Sequence, residues 1–275
     1  EATLGLAYSL SQEPDYTTHA LTVSLVSELL DRMATASVSY RVNIEHVGRA
    51  RDPSFGEDIL GHTLDLGWTQ ILARGTTLSA LGTLGYTDCG PLIGCQASPY
   101  RYVGVYGESD VGGAVRLAAS ERHPDERVRG AVGLRLAQHL GEGVSLHAGY
   151  RFYADSWLIT GHTADVAIAA GFLGERLLLR AEGRFSWQTA ASFYRERYET
   201  EGGAPPRWRT ADRELTGLWN ATAGLRVEGV IDGLGTPSAL RLNARLAHTW
   251  YRYPNFRPMP RREAWLVGGG LTAEF

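Results

Sequence analysis

Lysine is absent from the 275 residues, so all 27 basic side chains are arginine. Arginine is the better partner for phosphate and for buried carboxylate, because its planar fork donates two parallel hydrogen bonds. A formal net charge of −3 argues against a general nucleic-acid binder. No run of about eighteen or more consecutive apolar residues occurs, which excludes helical membrane spans but not strands that hide their apolar residues by alternation. No signal peptide is visible, and Glu1 opens almost directly into a strand, as a processed N-terminus would.

Cysteine is scarce too. Cys89 and Cys95 are the only two, in the run Asp-Cys-Gly-Pro-Leu-Ile-Gly-Cys. A close pair around Gly and Pro reads as a small disulfide-closed loop in an oxidising compartment. Metal binding by two thiols, or two unlinked loop thiols, are the alternatives.

Helical periodicity is missing, and alternation of period two replaces it nearly everywhere. In the last eleven residues, Trp265, Val267, Gly269, Leu271, Ala273 and Phe275 alternate with Gly268, Gly270, Thr272 and Glu274. A strand of that length with one greasy face and a terminal Phe has the form of the closing strand and assembly signal of an outer-membrane β-barrel. The same rhythm sets Leu4, Leu6, Tyr8 and Leu10 against Thr3, Gly5, Ala7 and Ser9, and Leu64, Leu66 and Trp68 against Thr63, Asp65 and Gly67. It recurs in Val128, Val132, Leu134 and Leu136 against Arg129, Gly133 and Arg135, and in Leu240, Leu242 and Leu246 against Arg241, Asn243 and Arg245.

Twelve such segments predict an all-β fold: a single closed antiparallel transmembrane β-barrel over 1–275, with both termini periplasmic. Tight turns are expected at Leu30-Asp31, Arg74-Gly75, 141–143 and Gly174-Glu175, with a longer one at 232–237. They alternate with connections at 11–17, 46–61, 88–127, 154–161, 191–213 and 251–262. Short periplasmic turns and long extracellular loops follow from that split. A soluble sandwich would cover its charged face with long side chains, whereas here the charges are interspersed with Gly, Ser, Thr and Ala.

The interior face predicted by this parity carries Arg129, Arg135, Arg151, Arg180, Arg184, Arg226, Arg241 and Arg245 against Asp155, Asp165, Glu182 and Glu228, with Tyr153 beside them. Turn parity puts Arg129 opposite Asp155, Arg151 opposite Gly133 and Asp165 opposite Arg184. Such a lumen is either cross-linked shut by ion pairs or a narrow hydrated passage favouring anions. His139 and His147 lie a diagonal step apart, without a carboxylate or Cys at metal-ligand spacing. No Ser/His/acid set with a distinctive motif is present, so a non-enzymatic protein without cofactor or metal is expected.

The outer loops combine Arg with aromatics. Tyr100, Arg101, Arg127, His162, Tyr194, Arg209, Asp212 and Arg213 are the candidates there. Arg with aromatic rings suits phosphorylated headgroups or acidic glycans; pairing with Asp110, Asp125, Glu196 and Asp212 would instead lock the loops together.

Several ordered runs carry a resemblance. They are Ser98-Pro-Tyr-Arg-Tyr-Val103, Glu121-Arg-His-Pro-Asp-Glu-Arg-Val-Arg129, Tyr150-Arg-Phe-Tyr-Ala-Asp-Ser-Trp157, His162-Thr163, Ala191-Ser-Phe-Tyr194 and Arg209-Thr-Ala-Asp-Arg-Glu-Leu215. Over roughly 75–275 the chain resembles a bacterial outer-membrane β-barrel family known as a domain of unknown function. It departs in having Ser98 where Asn is usual and Ala154 where an acidic residue often precedes Asp155. The resemblance implies location, architecture and loops folded into the mouth, and no activity. The expected roles, in order, are a porin-like channel or anion-binding barrel, a scaffold docking a lipoprotein or extracellular assembly, and a membrane lipid hydrolase. Expected partners are outer-membrane lipid or lipopolysaccharide and the barrel assembly machinery.

Overall fold

The computed structural model describes residues 1–108, 114–174, 176–232 and 239–274. Phe275, Glu175, Asp110 and the 233–237 part of the last short turn therefore lie outside the described residues. Twelve strands form one antiparallel sheet in chain order: β1 (Ala2–Glu13), β2 (Tyr16–Leu29), β3 (Ala34–Arg49), β4 (Asp52–Ala73), β5 (Thr76–Cys89), β8 (Glu126–Gly141), β9 (Val144–Asp155), β10 (Thr160–Phe172), β11 (Leu177–Gln188), β13 (Leu218–Asp232), β14 (Ala239–Arg252) and β15 (Arg261–Glu274). A second sheet joins β6 (Tyr102–Glu108), β7 (Ala114–Ser120) and the two-residue β12 (Tyr198–Glu199).

The long sheet is curled. Val47 of β3 and Phe256, between β14 and β15, pack on the same cluster of buried side chains although eight strands of the sheet lie between them. Among the described residues no ladder joins β1 to β15, so the sheet has two edges.

Period-two alternation decides which side faces where. Leu66, Leu134, Leu242 and Leu246 are 40–54% exposed on the convex face, while Ala131, Ala167, Ala169 and Ala247 on the concave face are buried to 8% or less. The convex face also carries a recurring diagonal pair. The hydroxyls of Tyr8, Tyr40 and Tyr150 lie 2.7 Å from Nδ1 of His19, His62 and His162 on the next strand. His162 packs further on Phe152 and Trp187, and His248 between Trp250 and Trp265. Amphipathic rings in a band are what a water–hydrocarbon boundary selects.

The turns between β2 and β3, β4 and β5, and β8 and β9 are tight and stand at one end, where Ala2 pairs with Ser27 and Ala239 with Glu274. At the other end the loop expectation needs correction. Residues 46–61 are not a long loop: β3 and β4 continue as a projecting hairpin turned at Ala50-Arg51, with Arg51 at φ 65°. The connections read as 11–17 and 251–262 shrink to 14–15 and 253–260. Of the expected loops 88–127 and 191–213, the described parts 88–108, 114–127 and 191–213 are more than plain loops, because they build the small sheet and contribute to both buried clusters of the described residues.

Candidate functional site: a packed cap and the chamber below it

The cap grows from the β5–β8 and β11–β13 connections. The Cys89–Cys95 disulfide closes a six-residue step, and Cys95 N–H donates to Pro124 and His123 N–H to Ile93. Glu57, on the projecting part of β4, accepts from the main-chain N–H of Leu92, Ile93 and Gly94 at 3.0–3.4 Å. Burial pushes that carboxyl up and the three N–H bonds oppose it. Gly94 has φ +78°, and a Cβ there would stand 2.1 Å from the His123 carbonyl oxygen, so the crossing admits only glycine.

Glu121 is the hub. Its fully buried carboxylate accepts from Ser98 N–H (2.9 Å), Ala211 N–H (3.1 Å), the Thr210 hydroxyl (2.5 Å) and Arg101 (3.0 Å), which in turn reaches Asp212 at 3.0 Å. Burial opposes ionisation, but the approach of His123 and the bonds from Ser98 and Thr210 outweigh it and hold the carboxyl at about 2. His123, 3.5 Å from Glu121, directs Nδ1 at the Cys95 carbonyl (2.8 Å); a carbonyl can only accept, so Nδ1 carries hydrogen.

Asp155 is the second buried carboxylate. It accepts from Arg127 (2.6 Å), Tyr153 hydroxyl (2.9 Å) and the N–H groups of Trp157 and Ile159 (3.0 Å each). Arg129 stands opposite Asp155 in the ladder, yet the ion pair belongs to Arg127, and Arg129 donates to Thr87 instead. Position 127, paired with Thr87 of β5, lies two residues beyond the last β8–β9 rung, where its side chain can turn inward under the cap. There it lies 4.0 Å from the ring of the buried Trp157, which also meets His123 and Phe193 edge-on.

Of the outer-loop residues singled out from sequence, Arg101, Arg127, Tyr194, Arg209 and Asp212 join this cap. Arg209 donates to the carbonyls of Ser120 and Pro206, and burial together with Arg122 draws it below the ordinary arginine value. Tyr100 sits at the rim, donating to Asp15 and accepting from Ala50 N–H, so it ties two hairpin tips to the cap. Arg213 pairs with Glu214 at the edge. His162 belongs to neither: it lies on β10 and faces the convex side, because its parity matches Val166 and Ile168. Sequence reasoning did not single out Glu57, Glu121, His123 or Trp157 as site residues, although all but Glu57 fall in the runs that carry the family resemblance.

Below the cap the concave face carries the arginines in rows. Arg135, Gly149, Asp165, Arg184 and Thr222 are consecutive ladder partners across β8, β9, β10, β11 and β13. One rung higher run Gly133, Arg151, Thr163, Ser186 and Asn220. Two adjoining cavities of about 190 and 260 Å³ open here, and Arg151 lines both. Among the described residues Arg135, Arg151 and Arg184 make no ion pair, and the smaller cavity is lined by one carboxylate, Asp165. Nearer the short turns the charges neutralise one another. Glu182 bridges Arg180 (3.8 Å) and Arg245 across Gly224, where a Cβ would come within 2.9 Å of the glutamate, and Arg226 pairs with Glu228 at 2.6 Å. Arg241 lies opposite Val230 and Thr272.

Fold and site together define an all-β protein: a curled twelve-stranded antiparallel sheet with an apolar convex face, closed over at one end by a disulfide-pinned cap. The chain belongs to the family described as protein of unknown function (DUF3570), whose model matches residues 55–248. No curated protein matches. Among solved structures the chain is similar to BamA from Haemophilus ducreyi lacking POTRA domains 1–3, at 9% identity and TM-score 0.46 over 98% of this chain and 58% of that one. It is also similar to the outer membrane protein OmpT of Vibrio cholerae (8% identity, TM-score 0.43, 99% and 98% covered) and to LpxR from Salmonella typhimurium (15%, 0.34, 95% and 90%). The chain thus spans a little over half the length of the BamA structure.

Proposed function

We propose that this protein is a non-enzymatic outer-membrane β-barrel whose capped lumen binds and passes small anions. The membrane part of the reading rests on the convex face. Exposed Leu, Val, Phe and Trp side chains each forgo about 1.5–3 kcal/mol of burial in water, and a belt of them around a whole sheet is supported only in hydrocarbon. The banded Tyr–His and His–Trp contacts fit the headgroup boundary. In lipid the edges of β1 and β15 could not stay unpaired, so the two strands, which run in opposite directions, zip together and close the barrel. Cysteines placed at Gly5 or Ala7 and at Gly268 or Gly270 should cross-link in native membranes. Short turns then face the periplasm together with Ala2 and Glu274, and the cap faces outside, among lipopolysaccharide. Assembly of such a barrel would call on the barrel assembly machinery.

The single observation that carries the anion reading is the chamber under the cap, where three arginines face one aspartate. Low-dielectric walls focus that potential and raise the local concentration of anions. In planar bilayers under a KCl gradient the purified protein should conduct, with a reversal potential on the anion side. Arg151→Glu, which reverses the charge shared by both cavities, should move the reversal potential toward cation selectivity. Absence of conductance, or a reversal potential that Arg151→Glu leaves unchanged, would refute the reading. A scaffold role is the second reading, favoured by the cap's continuous packing over the mouth; a stable lipoprotein partner co-purifying with a non-conducting barrel would support it.

A further inference from the structure

On its outer surface the cap carries a cleft of about 400 Å³, enclosed by the β6–β7 hairpin, the 194–197 segment and the 253–260 connection. Four guanidinium groups line it: Arg116, Arg195, Arg197 and Arg257. Glu196, the one carboxylate among its walls, pairs with Arg257 at 3.3 Å. Arg197 lies 4.3 Å over the ring of Tyr106 and Arg116 5.9 Å from the same ring. Arg195 is held by its own main chain, Nη1 donating to the carbonyls of Ser192 and Tyr194 at 2.8 Å each. Among the described residues neither Arg116 nor Arg195 has a carboxylate partner.

Arg197 also has Glu199 at 3.8 Å, outside the cleft, so four like charges stand against two carboxylates, which is unfavourable unless a further counter-charge arrives. Stacking on Tyr106 and anchoring to carbonyls fix where the guanidinium groups stand, which lowers the ordering cost of receiving an anion. Arginine forks match phosphate bidentately. Tyr102, 57% exposed, and Phe256 add flat apolar walls on which a sugar ring can lie. The volume falls in the range of about 300–1,000 Å³ usual for small-ligand sites.

We propose that this cleft binds a phosphorylated saccharide carrying at least two anionic groups, one clamped by Arg116 and Arg197 and the other by Arg195 and Arg257. The inference stands on the cap alone and is independent of conduction through the lumen. The probe is glucose 1,6-bisphosphate, titrated by calorimetry into the intact protein in detergent micelles, with glucose as the neutral comparison. Expected are binding by the bisphosphate that weakens as salt is raised, none by glucose, and at least a tenfold loss in Arg116→Glu/Arg195→Glu. Arg116→Gln/Arg195→Gln should lose affinity too, while Arg74→Glu, the same charge change on a short turn, should not. Heat-modifiable migration of each variant checks that the barrel has formed. A second arm uses vesicles bearing a diphosphorylated glucosamine glycolipid. Tighter binding there than in solution assigns a lipid-linked source, and equal binding assigns a solute; both support the site. No binding of the bisphosphate at low salt, or equal binding by the Arg116/Arg195 variants and Arg74→Glu, overturns it. Conductance unchanged in a variant that no longer binds separates this site from the lumenal one.

Discussion

Glu121→Gln is the substitution that tests the cap most sharply. The carboxylate gathers two main-chain N–H groups, a hydroxyl and Arg101 from segments about ninety positions apart, and glutamine replaces one acceptor oxygen by a donor facing other donors. In the folded cap this group is held at about 2 against an ordinary 4.5, since the nearby His123 and hydrogen bonds from Ser98 and Thr210 overcome the opposing effect of burial. A depressed carboxyl contributes stability that is fully present above its unfolded value and is lost as pH falls through the folded one. The window is therefore pH 4.5 down to about 2. The gap corresponds to roughly 3 kcal/mol, or about a hundredfold in the local opening equilibrium. Hydrogen exchange read by mass spectrometry, corrected for intrinsic rates, should show peptides from 90–125 and 191–217 about a hundredfold less protected in the variant at pH 7. Strands β2 and β10 should be unchanged. In the wild type cap protection should fall across the acid window, and in the variant it should be nearly flat. Equal cap protection in variant and wild type, or equal loss in every strand, would refute the reasoning.

Replacing Cys89 and Cys95 together by serine should cost the cap about 2 kcal/mol, the loop-closure contribution of a short ring, seen as faster proteolysis within 90–101 with barrel migration preserved. Trp157→Ala should cost about 3–5 kcal/mol of cap stability, with a loss of near-ultraviolet dichroism, because the indole is 2% exposed and packed against Arg127, His123 and Phe193. Gly94→Ala should be worse than the serine pair, since the methyl overlaps a main-chain oxygen rather than a mobile side chain; protection of the cap equal to wild type would contradict that crossing.

Much of the fold was legible because a half-buried strand writes its two faces into alternate positions. The parity that set Arg129 against Asp155 and Asp165 against Arg184 matches the ladders, since a one-residue slip would have moved the leucines of β8, or Val166 and Ile168 of β10, to the wrong face. The 46–61 hairpin was missed because its alternation weakens where the strands leave the apolar layer: beyond it, Glu45, His46 and Asp58 have no face to hide. The cap was legible only as runs of residues. Glu121, His123 and Trp157 act through partners about thirty to ninety positions away, and no local period encodes such crossings. The Arg127–Asp155 pair shows the same limit, for ladder position placed Arg129 there and side-chain reach chose its neighbour.

The membrane assignment turns on which face of the sheet meets hydrocarbon. Single nitroxide labels along Val128–Leu136 in reconstituted vesicles would measure this directly, by comparing collision with oxygen and with a water-soluble nickel chelate. Labels at 128, 130, 132, 134 and 136 should favour oxygen, and those at 129, 131, 133 and 135 the chelate. Chelate accessibility at every position, or the opposite alternation, would contradict the account.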